Sequence, residues 1–343
     1  MKMMTNHGNP LTAGELADPI SGGLTIQSSL SVPVLVTNSG ERASHKFLEY
    51  FVAQIRNPNT RAAYGRAVRQ FFNWCEQHGA YQLEDVNYMA VSAYIEQHPS
   101  SPQTVLQHLA AIRQLFEWLK QQNILNNNPA ENVKGPKYRV KVGKTPVLET
   151  DEMRLLFESF DLSHMAGLRD RALIGIMTYT FARVSAVIQM DVEDVLLRGS
   201  QHRVRLHEKG GKYAEIPLHH TANEYLHAYM NAAEQQPGII WSKGTALFRS
   251  MSRGGGRSRL LSENRLDRRN AWDMVKRRAK DARVSTDICN HTFRGTGITN
   301  YLENGGSRDT AQELAGHEDV RTTALYDRRA SKVSLDEIER MRF

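Results

Sequence analysis

Between residues 41 and 133, hydrophobic side chains recur every three or four positions, which is the period of an amphipathic α-helix. Asn59 or Thr60 is expected to cap one of the predicted helices at its start. Another begins at Pro102, with Ser101 before it as the cap. The apolar stripes are Tyr64, Val68, Phe71, Phe72 and Cys75 in the earlier helix, and Val105, Leu109, Ile112, Phe116 and Leu119 in the later one. This region is therefore predicted to be a helical bundle.

The pattern changes after residue 145. Residues 168–177 are largely apolar after their first few positions and predict a buried helix. Residues 203–207 and 213–218 predict two β-strands, because the stretch Glu-Lys-Gly-Gly-Lys between them is typical of a tight turn. Further helical patterns follow. The expected fold class is mainly α with a small β-sheet (α+β), divided into an N-terminal helical bundle and a second, mixed domain.

The length of 343 residues is enough for two domains. Residues 1–40 are rich in Gly, Ser, Thr, Asn and Pro and show no sustained period, so they predict a flexible tail. Residues 41–133 are assigned to the bundle and residues 145–343 to the second domain. The basic segment 134–144 between them has no helical period and predicts an extended linker.

The net charge is +7, and its location along the chain changes the picture. The segment from Arg249 to Arg283 holds twelve Lys or Arg and four Asp or Glu, so the rest of the chain carries about −1. A basic excess gathered in one segment indicates a polyanionic partner such as nucleic acid. A solvated helical surface with paired charges explains the same count equally well.

Several polar side chains fall outside the apolar stripes and are candidates for contacts with DNA bases or phosphates. The alternative for each is an ordinary solvated exterior or a plain interdomain linker. The candidates are Arg66, Arg69, Gln103, Gln107 and Arg113 in the bundle, Lys137, Arg139 and Lys141 in the linker, and Arg268, Arg269, Lys276 and Arg277 in the basic segment.

The sequence gives little support for a membrane or secreted location or for a bound cofactor. Apolar runs are shorter than the roughly 20 residues that a membrane-spanning helix needs, and the first residues lack the apolar core of a signal peptide. Cys75 and Cys289 lie far apart, so we expect reduced thiols, no metal site and a cytoplasmic location. The sequence also shows no phosphate-binding glycine loop and no magnesium-binding carboxylate motif.

The chemistry is carried by Tyr326 and by cations far from it in the sequence. A phenol has a pKa of about 10 and attacks phosphorus poorly unless cations stabilise the phenolate. Arg183 follows the apolar helix and has the fork geometry that suits two phosphate oxygens, although pairing with Asp170 or Asp191 is the commoner role for such an arginine.

Lys209 lies in the glycine turn between the predicted strands, where a mobile hairpin can carry a proton donor to a leaving oxygen. Lys212 competes for this role. His291 and Arg294 are three residues apart and share a face if the segment is helical. His317 follows a glycine and can donate to a phosphate oxygen, or it can simply end a helix.

Taken one at a time, these residues have commoner structural explanations, but their order does not. Arg183, Lys209, the motif from His291 to Arg294, His317 and Tyr326 stand in the order found in the tyrosine recombinase (phage integrase) family, and the chain resembles that family over about residues 44–343. The neighbouring sequences also agree with the family's pattern: Leu-Arg-Asp-Arg-Ala-Leu-Ile at residues 168–174 and Leu-Ala-Gly-His at residues 314–317. One departure is Phe-Ala before Arg183, where many relatives carry Gly-Leu, and we expect it to touch no catalytic group.

The resemblance implies a two-domain DNA clamp with an integrase-type catalytic domain. It implies that Tyr326 forms a 3′-phosphotyrosyl link, with Arg183, Arg294 and His317 on the phosphate, Lys209 as acid and His291 as proton acceptor. It further implies a homo-tetramer on double-stranded DNA with a specific target site, working without metal or ATP. A type IB topoisomerase and a non-cleaving DNA-binding accessory protein are the alternatives.

Overall fold

The computed structural model describes residues 31–138, 143, 145–207, 211, 213–252, 260–327 and 340–341. The chain divides into two compact units, Met1–Arg139 and Val140–Phe343. The described part of the first unit contains helices, whereas the second combines helices with two small antiparallel sheets. The predicted fold class, mainly α with a small β component, is confirmed.

The first unit is a bundle around an aromatic core. Its helices are α1 (Val34–Asn38), α2 (Glu41–Glu49), α3 (Pro58–Gln77), α4 (Tyr88–Gln97) and α5 (Pro102–Gln121), with a π-helical turn at Tyr50–Gln54 and a 3-10 turn at Leu83–Asp85. Helices α3 and α5 pack together through Phe72 and Phe116, whose rings meet edge to face with centroids 6.1 Å apart. Both predicted apolar stripes face this core, because a helix presents residues three and four apart on one side.

Helix α3 begins earlier than predicted. The side chain of Asn57 accepts hydrogen bonds from the backbone N–H groups of Asn59 and Thr60, at 2.9 and 3.2 Å. Pro58 occupies the first helical position, where its missing N–H costs no hydrogen bond. Asn59 and Thr60 are therefore inside the helix, and the prediction that one of them is the cap is wrong.

The predicted flexible tail ends before residue 41. Val32, Leu35 and Val36 are buried, and the backbone N–H of Leu35 donates to the side chain of Glu76 over 3.1 Å. These contacts attach α1 to helix α3, and Val32, Leu35 and Val36 belong to the core of the first unit. The boundary drawn at residue 41 is too late, and residues 1–30 lie outside the described part of the chain.

The second unit is built around the buried helix predicted near residues 168–177. Its helices are α6 (Thr150–Glu158), α7 (Met165–Tyr179), α8 (Val184–Ile188), α9 (His220–Glu234), α10 (Arg268–Asp281), α11 (Asn290–Glu303), α12 (Arg308–Ala315) and α13 (Val320–Ala324), with a 3-10 turn at Val192–Asp194. Helix α7 packs between α9 and α11. Residues Ala172–Thr178 are buried without interruption, as expected for a helix covered on every side.

The predicted hairpin is present and belongs to a larger sheet. Strands β1 (Val195–Arg198), β2 (Gln201–His207) and β3 (Tyr213–Pro217) form an antiparallel sheet in that order, and His207 pairs with Tyr213. A second sheet joins β4 (Arg249–Met251) to β5 (Leu261–Arg265). Strands β1, β4 and β5 were not predicted, because strands of three to five residues show little alternation. Strand β3 is equally short and was predicted because the Glu-Lys-Gly-Gly-Lys stretch marks it as the partner of β2. Lys209 and Lys212 lie outside the described residues.

Helices α7 and α11 approach each other closely at Gly297. A Cβ atom added there would lie 2.1 Å from the carbonyl oxygen of Thr178, which is far inside van der Waals contact. At Gly295, one turn from the start of the same helix, a Cβ atom would meet the ring of Tyr326 at 3.2 Å. The two glycines therefore allow α11 to pack against the end of α7 and against Tyr326.

Candidate active site

Tyr326 lies in the turn after α13 and is only 7% exposed. Its hydroxyl is 3.1 Å from Nε2 of His291. The backbone of Tyr326 is held on both sides: its N–H donates to the carbonyl of Thr323 over 3.0 Å, and its carbonyl accepts from Oγ1 of Thr299 over 3.0 Å. The tyrosine is therefore fixed in position with its hydroxyl against a histidine.

His291 is the second residue of α11 and lies on the exposed side of the helix. Partial loss of solvent around the ring and the charges of Arg294, Arg183 and Arg268 lower its pKa below the ordinary value. Because the residue keeps contact with water, we regard the nearby arginines as a substantial part of this effect. A neutral imidazole beside a phenol is able to accept its proton.

Arg294 stands one turn further along α11 and is 1% exposed. Its Nη1 donates to the carbonyl of Phe181, and its Nη2 donates to the carbonyl of Ala315 over 2.5 Å. Phe181 precedes Arg183 by two residues, and Ala315 precedes His317 by two residues. The Arg294 guanidinium thus contacts both the segment that carries Arg183 and the segment that carries His317.

This geometry corrects the expectation that the Phe-Ala departure touches no catalytic group. Phe181 has a φ of 54°, in the left-handed region that disfavours residues with a Cβ by about 1–2 kcal/mol. Its ring packs edge to face on Tyr301, with centroids 5.8 Å apart, and its carbonyl binds Arg294. The ring packing and this hydrogen bond hold a backbone conformation that glycine would adopt without strain.

His317 follows Gly316, which ends α12 in a left-handed conformation with a φ of 57°. The residue is 8% exposed, and its Nδ1 is 2.8 Å from Oγ1 of Thr323. Its ring lies nearly parallel to that of Tyr326, with centroids 6.0 Å apart. Burial, followed by the charges of Arg294, Arg183 and His291, lowers the pKa of His317 to about 4. His317 is therefore neutral at physiological pH.

Arg183 caps the start of α8 and is half-buried. Its charge lowers the pKa of both His291 and His317, so it lies within electrostatic reach of each. The two carboxylates considered as its partners have other contacts: Asp170 binds Arg169 and Arg278, and Asp191 binds Arg265. The fold gathers Arg183, His291, Arg294, His317 and Tyr326 in one place. Lys209 lies outside the described residues.

The basic segment is only partly available to a ligand. Arg268, Arg269 and Arg277 are exposed, and Arg268 is close enough to His291 to affect its pKa. Lys276 contacts Asp287 and lies over the ring of Trp272 at 5.6 Å, so its charge is engaged within the protein.

Three further arginines of the segment have internal contacts. Arg249 is buried and donates to the carbonyls of Ala246 and Ile240, Arg265 donates to those of Ile188 and Met190 and to Asp191, and Arg278 binds Asp170. The interpretation of the whole segment as a surface for a polyanion is therefore corrected. Counting charges along the sequence cannot separate surface arginines from those that bind backbone carbonyls in the interior.

Among the candidate DNA contacts of the first unit, Arg66, Gln103, Gln107 and Lys137 are exposed, and Arg69 is half-buried. Arg139 and Lys141 lie outside the described residues. The prediction that Arg113 contacts DNA is corrected, because its Nε donates to the carbonyl of Ala130 over 3.1 Å and its Nη2 to that of Val133 over 2.7 Å. Its guanidinium stabilises the segment that follows α5 instead of facing outward.

Sequence reasoning missed Thr299 and Thr323, which contact Tyr326 and His317. Both threonines are buried, and buried hydroxyls require partners. A threonine at helical spacing carries no distinctive sequence signal. Thr323 is therefore identified only by the imidazole that lies 2.8 Å from it. Such partners become visible only when the chain is folded.

None of the helices within the described residues is long and apolar enough to cross a membrane. Within the same residues, no group of three or more His, Cys, Asp or Glu side chains is arranged to hold a metal ion. Cys75 and Cys289 are free thiols.

Comparison with known proteins identifies the family of this chain. Residues 146–332 match the phage integrase family, and residues 45–123 match the phage integrase N-terminal SAM-like domain. The chain belongs to the phage integrase family of tyrosine recombinases. It is 30% identical over 288 residues to the tyrosine recombinase XerD of Staphylococcus epidermidis, covering 82% of this chain and 90% of that protein. It is 28% identical to XerD of Listeria monocytogenes over 285 residues, covering 82% and 91%.

Solved structures of this family show the same fold. The XerH recombinase bound to its palindromic difH substrate superposes with a TM-score of 0.65 at 16% identity, covering 90% of this chain and 98% of that chain. A lambda integrase dimer bound to a COC′ core site superposes with a TM-score of 0.62 at 16% identity, covering 84% and 97%. Together with the family match, this makes the chain a tyrosine-type site-specific recombinase.

Proposed function

We propose that this recombinase cuts and rejoins double-stranded DNA through a 3′-phosphotyrosyl intermediate on Tyr326, without metal or ATP. The observation that carries the proposal is the placement of the Tyr326 hydroxyl 3.1 Å from His291, within a group of side chains that also contains Arg183, Arg294 and His317. A phenol becomes a nucleophile when a base accepts its proton and cations stabilise its charge.

In the proposed cleavage, the hydroxyl oxygen of Tyr326 forms a bond to phosphorus, and the bond from phosphorus to the 5′ oxygen breaks. His291 takes the phenol proton. Its lowered pKa keeps the imidazole neutral before the reaction, so that the ring has a nitrogen free to accept a proton. Lys209 supplies the proton that the leaving 5′ oxygen needs, with Lys212 as the competing donor.

Arg183, Arg294 and His317 bind the non-bridging oxygens, whose charge grows in the transition state. Because the ester to tyrosine conserves the energy of the broken bond, a 5′ hydroxyl from a partner duplex reverses the attack. The cycle then needs no external energy source.

Each of the two units is proposed to contact the DNA, as the family resemblance implies. The exposed side chains Gln103, Gln107, Arg66 and Lys137 are the proposed contacts of the first unit. Arg268, Arg269 and Arg277 are those of the second. The solved XerH and lambda integrase relatives are bound to DNA, which supports DNA as the partner.

Exchange of strands between two duplexes requires four cleavages, so we propose a homo-tetramer acting in the cytoplasm on a specific target site. A lambda integrase tetramer bound to a Holliday junction supports this assembly. The sequence after Tyr326, with Leu335, Ile338 and Met341, is proposed to dock on a neighbouring subunit; Leu335 and Ile338 lie outside the described residues. Packing of that segment on its own domain is the alternative.

The test is trapping of the covalent complex on a nicked suicide substrate, whose site is first mapped by footprinting on the source replicon. The wild-type protein should form the complex, and Tyr326→Phe should form none while binding the same DNA with unchanged affinity. Tyr301→Phe is the matched control, because Tyr301 packs on Phe181 and is not part of the proposed chemistry. Persistence of the covalent complex in Tyr326→Phe would refute the assignment.

A further inference from the structure

We propose that Thr323 is a positioning residue that selects the tautomer of His317: its hydroxyl donates a hydrogen bond to Nδ1, so that the ring proton resides on Nε2, where a phosphate oxygen can accept it. This inference rests on the proposed function of His317 as a ligand of the scissile phosphate. Thr323 itself touches no reacting atom in this scheme and acts only through the histidine.

The contact is buried and short. Oγ1 of Thr323 lies 2.8 Å from Nδ1 of His317, and the two residues are 1% and 8% exposed. Burial makes the contact costly to lose, since an imidazole nitrogen or hydroxyl left without a partner in the interior costs about 1–3 kcal/mol. The hydroxyl therefore has a strong preference to remain on this nitrogen.

The direction of this hydrogen bond decides what His317 can do. If the hydroxyl accepts a proton from Nδ1, then Nε2 carries a lone pair that repels a phosphate oxygen. If the hydroxyl donates to Nδ1, then Nε2 carries the proton and donates to the phosphate. A phosphate oxygen is an acceptor, so only the second arrangement matches the substrate.

The low pKa of His317 excludes protonation of both ring nitrogens at neutral pH. Burial and the charges of Arg294, Arg183 and His291 lower the pKa of His317 to about 4, so the ring has a single N–H at neutral pH. With one proton to place, the tautomer determines whether His317 is a donor or an acceptor. A hydroxyl is able to donate to Nδ1 and adds no negative charge, whereas a carboxylate can only accept, so it would favour the proton on Nδ1 and would oppose the binding of a phosphate.

Thr323 also links His317 to the nucleophile. Its carbonyl accepts the N–H of Tyr326 over 3.0 Å, so one residue contacts the histidine through its side chain and the tyrosine through its backbone. The two rings lie nearly parallel with centroids 6.0 Å apart. Thr323 thereby fixes the position of the proposed phosphate donor relative to the proposed nucleophile.

The first test is ¹⁵N NMR of the imidazole groups in the full-length protein labelled on its thirteen histidines, at neutral pH without DNA. The His317→Gln spectrum identifies the signals of His317. We expect the wild type to carry the proton on Nε2, Thr323→Ser to keep that tautomer, and Thr323→Val to lose it. A wild-type spectrum with the proton on Nδ1 overturns the proposal. This measurement does not depend on DNA cleavage.

The second test is a double-mutant cycle on the suicide substrate. Thr323→Val should slow formation of the covalent complex by about 10–100-fold, below the roughly 10²–10³-fold cost of removing one donor to a developing charge, and Thr323→Ser should restore most of the rate. In the His317→Gln background, Thr323→Val should add no further slowing. Equal slowing in both backgrounds would show that Thr323 acts through packing alone and would overturn the proposal. Failure of the wild type to form any covalent complex refutes the proposed function instead.

Discussion

Two groups of arginine side chains lie in the second unit, and the protein holds them differently. In the first group, one carboxylate oxygen of Asp170 accepts from Arg169 at 2.6–2.9 Å, and the other accepts from Arg278 at 2.8–3.0 Å. Asp281 lies 3.6 Å from Arg278, so two cations meet two carboxylates. In the second group, Arg294 donates to two backbone carbonyls, and burial followed by the charges of Arg294 and Arg183 lowers the pKa of His317.

The first group stabilises the fold, whereas the proposed function assigns the second group to a ligand. In the Asp170 group the charges are matched within the protein, so the cluster joins α7 to α10. In the Arg294 group, burial first and the nearby arginines second lower the pKa of His291 and of His317, so both imidazoles favour the neutral form. The proposed function assigns a DNA phosphate as the anion that this group binds. The following predictions test this contrast.

Asp170→Asn should produce the largest loss of stability. Removing one partner of a buried ion cluster leaves uncompensated charge and costs about 3–5 kcal/mol in the free energy of unfolding. Urea unfolding measures this. The matched control is Asp281→Asn, at a carboxylate that is 56% exposed, where a loss below about 1 kcal/mol is expected. Similar losses for the two variants would contradict a buried, charge-matched cluster.

Arg294→Lys should slow formation of the covalent complex by about 10²–10³-fold, because an ammonium cannot donate to two carbonyls and a phosphate in the fork geometry of a guanidinium. The rate is measured under single-turnover conditions on the suicide substrate. Arg278→Lys makes the same chemical change in the other group and should reduce stability while leaving the rate of the folded protein nearly unchanged. An equal slowing by Arg278→Lys would remove the distinction between the two groups.

The low pKa of His317 should make stability depend on pH. The folded state keeps this ring neutral down to about pH 4, whereas the unfolded chain protonates it near the ordinary value of about 6.5. The unfolded state therefore binds more protons in this interval, and the free energy of unfolding should fall as the pH drops from about 6.5 to about 4.

The loss attributable to His317 is on the order of 3 kcal/mol at most, as the shift in its pKa implies. His317→Gln should flatten the profile over that window when unfolding is measured in urea at several pH values. A profile with the same slope in His317→Gln would assign the pH dependence to other groups.

Arg277→Ala should have the smallest effect and should act on binding alone. Arg277 is exposed, whereas the next residue, Arg278, binds Asp170. Loss of one phosphate contact should reduce the slope of log K against log salt concentration by about 1, with the free energy of unfolding unchanged. Arg154→Ala is the control, because this exposed arginine is 3.2 Å from Asp151 and is not a proposed DNA contact. An unchanged slope in Arg277→Ala would remove Arg277 from the proposed interface.

Much of the architecture was predictable because it depends on local patterns. Ser101 and Pro102 locate the start of α5, and the apolar run before Arg183 locates α7. The start of α3 was misplaced because Asn57, Asn59 and Thr60 are all capable caps, and Pro58 decides between them. Helix α1 was missed because five residues are too few to show a period, and its stability comes from burial against α3.

The order of residue types along the chain identified the family, because Arg183, Lys209, His291, Arg294, His317 and Tyr326 follow the family's pattern. Only the tertiary structure decided which charges reach solvent and which are bound inside the protein. Arg277 and Arg278 are identical neighbours in the sequence, yet one reaches solvent and the other binds a buried carboxylate. The reason is physical: the free energy of a charged group depends on its surroundings, and those surroundings are supplied by residues far away in the chain, 108 positions in the case of Arg278 and Asp170.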